Sequence, residues 1–278
     1  MKKKILIGLV IFIVLLVVIN SITYSNKPKI ALINIKGVIS KYTDVLKYLS
    51  LAEKDTSVKA VVINVDSPGG AVGASQEIYR AIERIRNKKP VIVSMGNVAA
   101  SGGYYISAPA NVIFANPGTI TGSIGVIVQH VDLTKIMDKI GLKIENIKSG
   151  KNKDILYPNN KLTPQQRKLI KDTVLDVYNQ FIDAIVKYRK ISKNKLLKIA
   201  DGRIFSGNQA RKLGLVDKIG NLQDAIEEAR KLIGKEGKEA IIVPFEKQKT
   251  IIERLIGSEI HLNTFLAPTG IYYLMKLW

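Results

Sequence analysis

Four apolar runs, each closed by a turn or a glycine-rich loop, constrain this chain more than any other feature. Residues 30–35 stop at Gly37, and residues 58–65 run into Asp66-Ser67-Pro68-Gly69-Gly70. Residues 91–95 run into the small-residue stretch 96–103, and residues 111–115 into Asn116-Pro117-Gly118. Short runs without polar alternation predict strands covered on both faces. Between the second and third, Ile78, Ile82 and Ile85 recur at helical spacing until Lys89-Pro90 ends the helix. Buried strands alternating with helices predict an α/β fold, a mainly parallel sheet with surrounding helices.

Later, Thr163-Pro164 is a good N-cap followed by proline at the first helical position. Ile170, Val174, Val177, Phe181, Ile185 and Tyr188 then share one face of a long helix. A second helix is predicted over residues 221–233 and a last strand at 241–243. The apolar end, residues 251–278, takes no assignment from its pattern.

The N-terminus reads differently. Lys2, Lys3 and Lys4 precede an apolar run over residues 5–19, and the next charge is Lys27. As a helix, residues 5–26 would span about 33 Å, enough for a bilayer core of roughly 30 Å. No small-x-small cleavage site follows, so the segment predicts an uncleaved transmembrane anchor rather than a removed signal. The lysines before it predict a cytoplasmic N-terminus, a single pass through the cell membrane and an extracytoplasmic body. The chain thus divides into an anchor (1–26), one domain (27–250) and an apolar C-terminal segment (251–278).

Composition narrows the chemistry. The 278 residues include no cysteine, which removes thiol nucleophiles, disulfides and thiolate metal sites. His130 and His261 are the only histidines and form no paired ligand spacing, so no metal and no cofactor is expected. The formal charge of +20 favours anionic lipid headgroups. It is spread along the chain without a dense basic arm or an aromatic-rich ribonucleoprotein motif, which argues against nucleic acid as a partner.

Three glycine-rich loops follow strands: 66–70, 99–103 (Ala-Ala-Ser-Gly-Gly) and 121–125 (Thr-Gly-Ser-Ile-Gly). In an α/β sheet such loops gather at strand ends, where ligands and reactive groups sit. A serine between small residues can be raised out of its turn, with backbone amides nearby to bind an oxyanion. Each loop by itself is equally well a structural device. A serine nucleophile also needs a base. His130 follows the apolar run 124–128 as an edge residue would, which leaves a neutral lysine as the sensible option. Lys148, Lys151 and Lys153 all lie in one segment, and local chemistry does not choose among them. The segment is not a phosphate-binding loop, because Asn152 follows Lys151 where serine or threonine is required.

Five ordered motifs, 65–70, 95–107, 121–126, 147–155 and 200–217, resemble the signal peptide peptidase A (S49) serine proteases, which share the Clp protease and crotonase-like fold. The resemblance runs from about residue 30 to residue 218. It implies a serine endopeptidase with Ser101 as nucleophile and Lys153 as base. Ser123 would orient the lysine, and the backbone amides of Gly70 and Ser101 would form the oxyanion hole. It further implies peptide substrates, signal peptides released from preproteins among them, and a ring-shaped homo-oligomer. Two other readings stay open: a non-proteolytic, crotonase-type acyl-thioester binder, and an inactive membrane scaffold.

Overall fold

The structure, a computed structural model, describes residue 12, residues 27–246 and residues 271–274. The chain enters at β1 (Lys29–Lys36) and crosses through α1 (Thr43–Lys54) to β2 (Val58–Ser67). A short β3 (Gly69–Ala71) leads into α2 (Val72–Arg86). Then come β4 (Val91–Ala100), α3 (Gly102–Ser107), β5 (Val112–Ala115), β6 (Ile120–Gly122) and β7 (Ile127–Val128). They are followed by α4 (Thr134–Lys139), the long α5 (Pro164–Tyr188), α6 (Lys193–Leu197), β8 (Ile204–Ser206) and α7 (Gly207–Leu213). Last are β9 (Lys218–Ile219), α8 (Leu222–Leu232), β10 (Ile241–Phe245) and β11 (Ile271–Leu274).

The main sheet has the order β10-β1-β2-β4-β5-β9, with β6 on the far half of β4 and β8 on β6. Every pairing in it is parallel except β6 with β8. The unbroken apolar runs are explained by helices on both faces. Ile33, Ile63 and Val93 join Ile78, Ile82 and Ile85 of α2 and Phe181 and Ile185 of α5 in one core. Ile30, Val62 and Ile92 meet Ala225, Ile226 and Ala229 of α8 on the other face. Each fully buried isoleucine contributes about 1.5–3 kcal/mol.

β4 decides where the site lies. Its first half pairs with β5, from Ile92↔Val112 to Met95↔Ala115. Its second half changes partner to β6, from Val98↔Ile120 to Ala100↔Gly122. The Asp66 carboxylate fixes the change by accepting from the Val98 amide (3.0 Å) and from Asn97 Nδ2 (3.2 Å). The sequence pattern ends this strand at Met95; with Asp66 and β6 holding the small residues extended, it continues to Ala100.

Helix ends follow their capping chemistry. Thr163 and Gln166 form a capping box ahead of Pro164, and Asn221 with Asp224 does the same for α8. Beyond α5, Arg189 is buried. It donates to Asp217 Oδ2 (2.6 Å) and to the Ala110 carbonyl (2.8 Å), tying the end of α5 to the sheet. Among the described residues no helix is long and apolar enough to cross a membrane. The expected anchor lies outside them apart from residue 12, and of the apolar end only β11 is described.

Candidate active site

Ser101 stands between the end of β4 and the start of α3, with φ 52° and ψ −116°. Ser123, just past β6, has φ 49°. Among the described residues these are the non-glycine residues with positive φ, a conformation that an L side chain holds only when its surroundings enforce it. The enforcing contacts are backbone hydrogen bonds. Ser101 N–H donates to the Gly122 carbonyl (2.8 Å), Tyr105 N–H donates to the Ser101 carbonyl (2.8 Å), and Ser123 N–H donates to the Arg203 carbonyl (2.8 Å). β6 therefore links the two serines, one at each side of its short length.

The glycines let a second loop approach. A Cβ on Gly102 would stand 3.1 Å from the Gly70 nitrogen and 2.8 Å from Ser75 Oγ, and one on Gly70 would run into the Ile39 carbonyl. Ile39 N–H donates to Gly69 O, and Ala71 N–H donates to Ile39 O, both at 2.8 Å. In an extended strand neighbouring residues direct their amides to opposite edges, so the Gly70 amide points away from Ile39. The Ser101 amide is already engaged with Gly122, which removes it from the oxyanion role expected of it. The amide of Gly102, at the first position of α3, has no carbonyl partner inside its own helix.

The predicted base makes no hydrogen bond to either serine among the described residues. Lys153 is exposed and its own amide donates to Gly150 O (3.1 Å), in an arm that joins β7 to α5. Ser101 itself is only 1% exposed. Lys148 is taken: its Nζ contacts both Asp154 carboxylate oxygens at 2.6 Å. That contact first, with Asn146 and Asn160 donating as well, holds the buried Asp154 carboxyl down at about 2. The structure thus removes one of three lysines that local sequence chemistry left equivalent. His130 lies with Nε2 3.3 Å from the Tyr157 carbonyl, and His261 is outside the described residues.

Some supporting residues carry no signal in a single sequence. Asp66 lies inside a recognisable motif, but its task of turning β4 shows only in the fold. Thr121 Oγ1 donates to the Ala99 carbonyl (2.6 Å) and braces β6 against β4. Asp201 accepts from the Arg203 amide (3.1 Å) and from its guanidinium Nε (2.7 Å), shaping the turn whose carbonyl receives Ser123. Those bonds hold the Asp201 carboxyl down at about 2.

A strained, buried serine at a parallel strand end, backed by glycine loops, is the framework of a serine hydrolase. Comparison with known proteins defines the class first: residues 24–119 match the Clp protease family, in keeping with the mixed α/β body and its central sheet. Residues 83–236 match peptidase family S49. A Synechocystis sp. protein provisionally named a protease is 38% identical, over 91% of this chain and 91% of its own length. One from Methanocaldococcus jannaschii, provisionally named likewise, is 39% identical over 71% of this chain and 63% of its own. An Enterococcus faecium protein provisionally named signal peptide peptidase SppA is 37% identical over 74% of this chain and 64% of its own. The chain belongs to peptidase family S49 and is a serine peptidase.

Proposed function

We propose that this chain is a membrane-anchored endopeptidase working through a serine-lysine dyad, with Ser101 as nucleophile and Lys153 as base. The observation that carries the reading is the strained backbone at Ser101 and Ser123. Strain of this kind is kept where it serves a site, and it falls on the two serines that the family motifs assign to attack and to orientation of the base. The oxyanion hole comprises the amides of Gly70 and Gly102, replacing the amide of Ser101. A peptide carbonyl held there faces the Ser101 hydroxyl, and the neutral lysine removes the hydroxyl proton as the tetrahedral adduct forms.

The base reaches the serine through assembly. The arm that carries Lys153 exposes Val131, Ile136, Ile140, Leu142, Ile144 and Ile147, the last at 97%. An apolar strip of this kind fits burial against a second copy of the chain, and in that contact the arm delivers Lys153 to the neighbour's serine. A homo-oligomeric ring is the arrangement this supports. The lysines before the apolar N-terminal run support an anchored chain with its peptidase body outside the cytoplasm. Substrates are then extended, membrane-associated peptides, released signal peptides among them. A cleft of about 870 Å³ between β7 and α5, lined by Ile127, Val128, Ile170 and Val174 together with Asp132, Lys161, Arg167 and Lys171, offers room for peptide side chains.

Hydrolysis of a reporter peptide by purified full-length protein tests the dyad. Ser101→Ala and Lys153→Ala each lose at least about a thousandfold in rate, because nucleophile and base act as one unit. Lys151→Ala stays active and Ser123→Ala is intermediate. An active Lys153→Ala protein beside a dead Lys151→Ala one would overturn the choice of base. A lysine base works only as the neutral amine, so the rate climbs toward alkaline pH.

A further inference from the structure

The end of the sheet opposite Ser101 takes no part in the proposed chemistry, and its charge is one-sided. β10, β1, β2, β4 and β5 pair in parallel, so the starts of these strands and the turns leading into them lie at one end. Residues 84–89, running from the last turn of α2 toward β4, read Arg-Ile-Arg-Asn-Lys-Lys. The passage from α1 into β2 carries Lys54 and Lys59, and Lys27 and Lys29 stand at the start of β1. Within these segments the acids are Glu53 and Asp55. Each is already paired, Glu53 with Lys88 (2.5 Å) and Asp55 with Lys29 (3.6 Å).

Basic side chains at helix C-terminal ends also offset the negative pole of the helix. Lys89 is spent in that way: its Nζ donates to the Ala52 and Asp55 carbonyls, both at 2.7 Å, and with the Lys88 pair this holds the ends of α1 and α2 side by side. Lys54 and Arg84 are not. Both are exposed, and among the described residues neither side chain makes a hydrogen bond or an ion pair. Their position supplies a partner. The Pro28 carbonyl accepts from the Ile241 amide (2.9 Å) and the Lys29 amide donates to the Ser57 carbonyl (2.7 Å), which fixes the chain to this end of the sheet just after the proposed anchor, residues 1–26. Two residues reach about 7 Å at most, less than the Debye length of about 8 Å at physiological ionic strength. The basic end of the sheet therefore stands within electrostatic reach of the bilayer surface.

We propose that the face at the strand starts, centred on Lys54 and Arg84, docks on anionic lipid headgroups and so sets the orientation of the peptidase body on the membrane. The orientation rests on the proposed anchor. Each lysine or arginine near such a surface strengthens binding about fivefold. β4 runs ten residues from this face to Ser101, about 33 Å at roughly 3.3 Å per residue. The nucleophile is thus held well clear of the headgroups, and a peptide has to leave the lipid to reach it, as a released signal peptide does.

The chain has no cysteine, so a single introduced one carries a probe without background. Full-length protein labelled with bimane at Asn87→Cys, in the turn before β4, is placed in nanodiscs of POPC or of POPC with POPG, each holding a headgroup spin-labelled lipid as quencher. Quenching is at least about twofold stronger in the POPG discs, and adding Lys54→Glu and Arg84→Glu makes the two discs equal. A probe at Lys36→Cys, the far end of β1, shows no such difference. Equal quenching at Asn87 in both discs, or a larger POPG response at Lys36 than at Asn87, overturns the proposal. Co-elution with the POPC discs reports the anchor separately. If the protein does not co-elute, the anchor reading fails, and flotation of the full-length protein with POPC/POPG vesicles decides on the face. The Lys54→Glu, Arg84→Glu protein then binds at least about 25-fold more weakly than the unmodified one, and equal binding overturns the proposal.

Discussion

The two halves of the proposed dyad sit in opposite kinds of structure. Around Ser101 the backbone is fixed from several sides: by the Gly122 carbonyl, by the start of α3, and by the close approach of Gly69 and Gly70 to Gly102. The arm with Lys153 presents apolar side chains outward, and a polar cluster around one buried carboxylate, Asp154, organises it. The positive-φ backbone at Ser101 and Ser123 is held by packed surroundings. A base has to arrive at the right distance, and an arm can bring it from another molecule.

The sharpest way to break this comparison is to separate the two halves. If the base serves a neighbouring copy, mixing inactive Ser101→Ala chains with inactive Lys153→Ala chains, after dissociation and reassembly, restores a substantial fraction of peptidase activity. Activity that stays at background in mixed assemblies of confirmed composition would place both groups of a working site on one chain.

A smaller effect, on stability, probes the core side. Arg189→Ala leaves Asp217 without its cation and frees the Ala110 carbonyl in a buried setting. The Arg189 side is buried while the Asp217 carboxylate is 34% exposed and keeps the Ile113 amide, so the loss is about 1–3 kcal/mol. Urea unfolding monitored by circular dichroism measures it, and a change within 1 kcal/mol would contradict the structural role.

The arm responds to acid through Asp154. The Asp154 carboxyl titrates at about 2, below its ordinary value of 3.8. Its contribution is therefore fully present above pH of about 4 and is lost as the pH falls through about 2. Hydrogen exchange of amides 146–160, corrected for intrinsic rates, shows protection falling over that window. Asp154→Asn removes the pH dependence. Equal protection at pH 4 and pH 2 in the unmodified protein would show that the cluster does not hold the arm.

The smallest expected effect lies beside the nucleophile. Among the described residues, Ser75 Oγ, buried and close to Gly102, has no hydrogen-bond partner. An unsatisfied buried hydroxyl costs stability, so Ser75→Ala is neutral or stabilising by about 1 kcal/mol. A loss of more than 1 kcal/mol would reveal a partner for that hydroxyl, in the substrate complex or in the assembly.

Local order in the sequence determined a good deal. The apolar runs at 30–35, 58–65 and 111–115 are strands, the Thr163-Pro164 signal opens α5, and residues 221–233 match α8 together with its two caps. These features follow from short-range sterics, capping and burial periodicity, which neighbouring residues carry. The motifs also singled out Ser101 and Ser123. What only the tertiary structure decided depends on contacts distant in sequence. β4 runs past Met95 because Asp66, some thirty residues earlier, accepts from Val98. The Ser101 amide is engaged by Gly122 rather than left for an oxyanion. Lys148 is removed from the candidate bases because Asp154 folds back onto it. The C-terminal segment, without a readable pattern, supplies a strand between β3 and β7. A strand of four residues has too little periodicity to announce itself, and its place is set by two edges whose open donors and acceptors exist only once the sheet has formed.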